Sequence, residues 1–133
     1  MLRDIPKELE TTLNRQVLRY IEGLSAHSDV VEALGAALKP LGDVQCFCPD
    51  PAEYRYVVGS TRGVIFAVAL GMNSIGFRLD ERMKSRALAS GGAPFLECGP
   101  EWVSFTVFRD DWPGIDLEFW ARKAYATVRE LER

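Results

Sequence analysis

The stretch Val64-Ile-Phe-Ala-Val-Ala-Leu70, followed by Gly71-Met-Asn-Ser74 and Ile75-Gly-Phe-Arg-Leu79, decides the fold. Its first seven residues are apolar without alternation. Such a run suits a central strand covered on both faces. Gly71 to Ser74 supply the turn. Ile75, Phe77 and Leu79 then alternate with Gly76 and Arg78, which predicts a partner strand.

The pattern extends upstream. Val44, Cys46 and Cys48 alternate with Gln45 and Phe47 in a short strand. Pro49-Asp-Pro51 ends it, because proline cannot donate to a ladder. Tyr54, Tyr56 and Val58 alternate with Arg55 and Val57, and Gly59 to Gly63 reads as a turn. Downstream, Asp80 caps a short helix with Met83, Ala87 and Leu88 that stops at Gly91-Gly92. A strand around Pro94–Cys98 follows. Trp102 to Phe108 is another, with Val103, Phe105 and Val107 on one face.

Helices flank this region. Pro6 suits a first helical turn, and Leu9, Leu13, Val17, Tyr20, Ile21 and Leu24 form one stripe. Asp29 with Glu32 reads as a capping box for a second helix, stopped by Pro40 and Gly42. Asp110-Asp-Trp-Pro-Gly114 breaks the strand pattern, and Leu117, Ala121, Ala124, Val128 and Leu131 mark a last helix. The expectation is one α+β domain over residues 1–133. Two helices occupy about 6–41, a strand-rich part about 44–108, and a C-terminal helix about 116–131. Short turns between consecutive strands make the sheet mainly antiparallel, with four or five strands packed by helices.

Hydrophobic residues make up 47% of the 133, enough for a core that needs no disulfide or metal. The net charge of -3 disfavours nucleic acid, whose binding rests on cations at phosphates. The charged start and the short apolar runs predict neither a signal peptide nor a membrane span. With three cysteines, they point to a cytoplasmic, reduced protein.

Candidate chemistry is sparse. Cys46 and Cys48 point to one side of their strand, so they are the metal candidates. Zinc wants four ligands, and spacing brings neither Cys98 nor His27 to them. They read as small core residues, and no cofactor is expected. His27 is the single histidine and sits between two helices, where a nucleophile–base pair is poorly supported. Asp110 and Asp111 belong to a turn, and the glycines form neither a dinucleotide fingerprint nor a P-loop. Arg78, Arg82, Lys84 and Arg86 outnumber Asp80 and Glu81 and suit either an anion or a solvated helix face. Trp120 lies at the edge of the last helix's stripe, as partner anchor or core.

From Tyr56 to Arg129 the chain resembles the TfoX N-terminal domain and its YjbR-like relatives. The resemblance rests on Gly59–Gly63, Val64-Ile-Phe-Ala-Val-Ala, Gly76-Phe-Arg-Leu-Asp80, Gly91-Gly-Ala-Pro-Phe95, Trp102-Val-Ser-Phe and Leu117-Glu-Phe-Trp-Ala-Arg-Lys-Ala-Tyr125. It implies a strongly bent antiparallel sheet and no catalysis. The chain departs from that family in its long paired helices before residue 42 and in Val58-Gly-Ser-Thr at the first turn. The expected function is a non-enzymatic interaction or regulatory module, a homodimer with room for a protein partner. The alternative is a small-ligand binder whose concave sheet face carries Tyr54, Tyr56, Phe77, Arg78 and Trp102.

Overall fold

A computed structural model describes residues 5–22, 24–48, 56–107 and 116–131. The helices are α1 (Arg15–Ile21), α2 (Ser28–Leu38), α3 (Glu81–Ala89) and α4 (Leu117–Leu131). The strands are β1 (Gln45–Phe47), β2 (Val57–Thr61), β3 (Val64–Leu70), β4 (Ser74–Arg78), β5 (Ala93–Pro94) and β6 (Trp102–Thr106). They form one antiparallel sheet in the order β1-β2-β3-β4-β6-β5. The architecture is therefore α+β. Its described residues hold six strands where the sequence suggested four or five. The strand expected over Pro94–Cys98 is only β5, because the chain curls after it: Cys98 N–H donates to the carbonyl of Phe95, and Gly99 N–H to that of Leu96.

β3 is central and buried along its whole length, as its unbroken apolar run predicts. Ser60 pairs with Ile65 and Gly59 with Ala67, so Phe66 is one residue extra on β3. That is a β-bulge, which bends and twists the strand. It also resets the alternation. Val64, Phe66, Ala67 and Ala69 pack on one face, and Ile65, Val68 and Leu70 on the other. The first face carries the larger core, closed by Val30 and Leu34 of α2, Met83 and Ala87 of α3, and Trp120, Ala124 and Val128 of α4. The second carries a smaller core under Leu9, Val17 and Ile21, with Phe95, Cys98 and Trp102 from the chain around β6.

Three local expectations are corrected. Gly59 to Gly63 is not one turn. β2 continues through Thr61, and the hairpin is Arg62-Gly63 alone, at φ 53° and 79°. Two positive φ angles make the turn whose twist matches paired strands. Gly59 is small for another reason: a Cβ there would lie 2.7 Å from Leu38 Cδ1. Asp29 and Glu32 do not cap α2. His27 does, its Nδ1 accepting from Asp29 N–H at 3.1 Å.

The third correction concerns the single helix expected over Pro6–Leu24. A 3-10 turn at Lys7–Leu9 and α1 replace it. The break lies at Asn14, whose side chain is fully buried. Its amide donates to the carbonyls of Leu9 (2.8 Å) and Gly63 (2.9 Å), and its Oδ1 accepts from Ile65 N–H (2.9 Å). A regular helix through residue 14 would give up these bonds to β3. Leu13, predicted on the buried stripe, is 44% exposed as a result.

Replacing Asn14 with Ala strands one N–H and two carbonyls, each of which costs about 1–3 kcal/mol when buried without a partner. Some relax towards water, so Asn14→Ala should lower unfolding stability by about 3 kcal/mol in urea titration. An unchanged midpoint would remove Asn14 as the clamp between α1 and β3.

Candidate functional site

The residues expected to line a ligand face do not share one surface. Phe77 is fully buried in the larger core, edge-on to Phe105 at 6.3 Å. Arg78 and Trp102 are fully buried on the opposite face, and Tyr56 packs on that side too. β4 is the cause: neighbours along a strand point to opposite sides. Tyr54 lies outside the described residues, as do Asp110, Asp111 and Trp112.

What the structure does assemble is a buried polar centre on Arg78. Nε donates to the carbonyl of Ile65 (2.8 Å), Nη1 to Glu101 Oε1 (2.9 Å) and Nη2 to the carbonyl of Leu13 (3.2 Å). The guanidinium carbon lies 5.2 Å from the centre of the Trp102 ring. Burial pulls the guanidinium below its usual range, and Glu101 pulls it back. Three donors and a planar face are occupied at once, which suits arginine and excludes lysine. Trp102 Nε1 is buried without a hydrogen-bond partner. Among the described residues that indole nitrogen is the one buried side-chain polar atom left unmatched.

The sequence pattern singled out Arg78 for its charge and missed Asn14 and Glu101. Asn14 had a signal: a small amide between Leu13 and Val17, on the apolar side of a helix, after Thr11-Thr12. Glu101 had none, being one acid among many in a turn. Two grooves border these elements. One, of about 380 Å³, runs between α1 and Tyr56 past Thr11, Arg15 and Glu22. The other, of about 440 Å³, runs between α3 and the turn before β6, past Leu79, Leu88, Pro100 and Glu101.

The remaining candidates hold structural posts. Cys46 and Cys48 both face the larger core, as their spacing predicts, the first half-buried and the second buried. Cys98 sits in the other core. Among the described residues no three His, Cys, Asp or Glu side chains gather around a metal-sized space. Trp120 extends the core, its ring 5.4 Å from that of Phe105. Among the same residues no helix is long and apolar enough to cross a membrane.

Two measurements test this placement. Replacing Arg78 with Met leaves two carbonyls unmatched and should cost about 3 kcal/mol, with no recovery in Arg78→Lys. Rescue by lysine would mean that charge alone matters. The second is pH. Burial, reinforced by Glu97, pushes the Cys98 thiol from 9.0 up to about 12. The unfolded chain releases that proton first. The stability Cys98 contributes is therefore full below pH 9.0 and lost as the pH rises towards 12, by at most about 1.4 kcal/mol per unit. Cys98→Ala should flatten that alkaline decline, and an unaltered slope would place the thiol in water. Compared with known proteins, the chain matches no family model, no curated protein and no solved structure.

Proposed function

We propose that this chain is a non-enzymatic interaction module, regulatory in role and cytoplasmic, that works as a homodimer. The observation that supports this reading is the use of its chemically capable side chains. His27 caps α2, Cys48 and Cys98 fill separate cores, and Arg78 ties β3 to the elements above it. Resemblance to the TfoX N-terminal domain and its YjbR-like relatives belongs to the same proposal. The order of β2, β3, β4, α3, β6 and α4 supports it.

Self-association has a candidate surface. Leu13, Leu88 and Leu96 are exposed, at 44%, 36% and 59%. Leu96 lies within residues 96–101, and hydrogen bonds or a shared groove link the elements carrying the other two to that segment. Gln16 Nε2 donates to the Leu96 carbonyl at 3.0 Å, which holds the start of α1 there. Arg78 joins the Leu13 carbonyl to Glu101, and Leu88 shares a groove with Pro100 and Glu101. Clustered exposed leucines mark contact surfaces more often than scattered ones do.

A small-ligand reading has to move from the buried Phe77, Arg78 and Trp102 to the groove beside Tyr56. A metabolite panel that raises the melting temperature, with the effect lost in Arg15→Glu, would favour it. For the leading reading, light scattering should give twice the chain mass of 14.9 kDa at micromolar concentrations. Leu13→Asp/Leu96→Asp should return it to one chain with little change in melting temperature. A wild-type monomer throughout that range would overturn the dimer.

A further inference from the structure

Four basic residues crowd positions 78–86, and the fold sorts them into different tasks. Arg78 is inside, and Lys84 Nζ turns back onto the carbonyl of Pro100. Arg82 and Arg86 remain, one turn apart on the exposed side of α3. α4 runs beside α3 in the opposite direction. At one end Asp80 N–H donates to Thr127 Oγ1 at 3.2 Å, and at the other the Arg86 guanidinium lies 5.9 Å from the Phe119 ring centre. Lys123 joins from α4, its ammonium 5.3 Å from the same centre.

Two cations, Arg86 and Lys123, therefore flank one half-buried aromatic ring, and exposed Arg82 stands one turn before Arg86 on α3. Among the described residues none of the three makes an ion pair, whereas neighbouring Arg122 has Glu118 at 3.8 Å. Phe119 stands edge-on to Trp120 at 5.0 Å, and Trp120 is fixed in the core. The ring is thus a held platform on the surface. This is a positive, aromatic patch on a chain of net charge -3.

The geometry points to this patch as the docking site for an acidic segment of a partner protein, one that sets an apolar side chain among its carboxylates. The inference rests on the reading of the chain as a contact module and names the chemistry of its partner. Carboxylates match the two-pronged guanidinium groups of Arg82 and Arg86, and the apolar side chain covers the exposed part of Phe119. A nucleic-acid strand is the poorer fit. Three cations neutralise few phosphates, and Asp80, Glu81 and Glu118 border the patch.

The test uses the full chain and a fluorescent synthetic peptide of Glu and Asp around one Phe, followed by anisotropy. Its Gln and Asn counterpart and a short single-stranded oligonucleotide are the comparisons. The acidic peptide should bind saturably, about tenfold tighter than the neutral one, and weaken with salt. Arg82→Glu/Arg86→Glu should lose about tenfold or more, and Lys7→Glu, beyond the sheet, should not change it. Should the reversal variant fail to fold by circular dichroism, Arg82→Gln/Arg86→Gln carries the same comparison. Absent saturation, equal binding by the variants, or tighter binding of the oligonucleotide each overturns the patch. Sizing of the same samples separates the two readings: a dimer that ignores the peptide leaves the contact module standing and removes this partner.

Discussion

The fold depends on the backbone of one residue. Ile65 sits beside the bulge on β3, where Ala67 pairs with Phe77 and β4 no longer accompanies the strand. Its N–H and carbonyl need partners in a dry interior, where an unmatched group costs about 1–3 kcal/mol. Asn14 Oδ1 takes the N–H, and Arg78 Nε supplies the carbonyl. Each of these side chains then reaches further. Asn14 ties in Leu9 and Gly63, and Arg78 ties in Leu13 and Glu101. One interrupted strand thus fixes the N-terminal cover, the hairpin before β3 and the turn before β6.

This constraint separates what could be read in the sequence from what could not. The meander, the covered central strand and the helical stripe of α4 follow from local periodicity, and the structure has them. α3 begins at Asp80, as its cap residue implies, with Asp80 Oδ1 accepting from Met83 N–H at 2.8 Å. The broken first helix could not be read that way. Leu9, Leu13 and Val17 keep helical spacing, and the reason to break it lies 51 positions away at Ile65. Gly59 is similar. It looks like a turn glycine beside Ser60 and Gly63, yet its small size serves Leu38 of α2. Periodicity reports a residue's own element; these departures come from a different one.

The candidate site was legible in kind and not in place. Aromatic and basic residues in strands suggest a ligand face, which groups Tyr56, Phe77, Arg78 and Trp102. Alternation along β4 divides them between two cores, and the same rule, applied to Phe77 and Arg78 as neighbours, would have divided them in advance. The basic run of 78–86 was legible as charge, but its meaning depends on which members face out. Arg78 is needed by backbone carbonyls, and Lys84 by Pro100. Only the pairing of α3 with α4 brings Lys123 and Phe119 beside Arg86.

The two halves of the molecule thus use the same residue type in opposed ways. Inside, a guanidinium is surrounded by fixed acceptors and the Trp102 ring, so its charge is matched and gives nothing to a visitor. Outside, the guanidinium of Arg86 has an aromatic neighbour and water, which leaves its donors available at small desolvation cost. Interaction energy at a surface comes from groups whose donors are still open when a partner arrives. Among the described residues the buried side-chain polar atoms are matched apart from Trp102 Nε1, whereas the exposed Arg86 and Lys123 flank a fixed ring with open donors at α3 and α4.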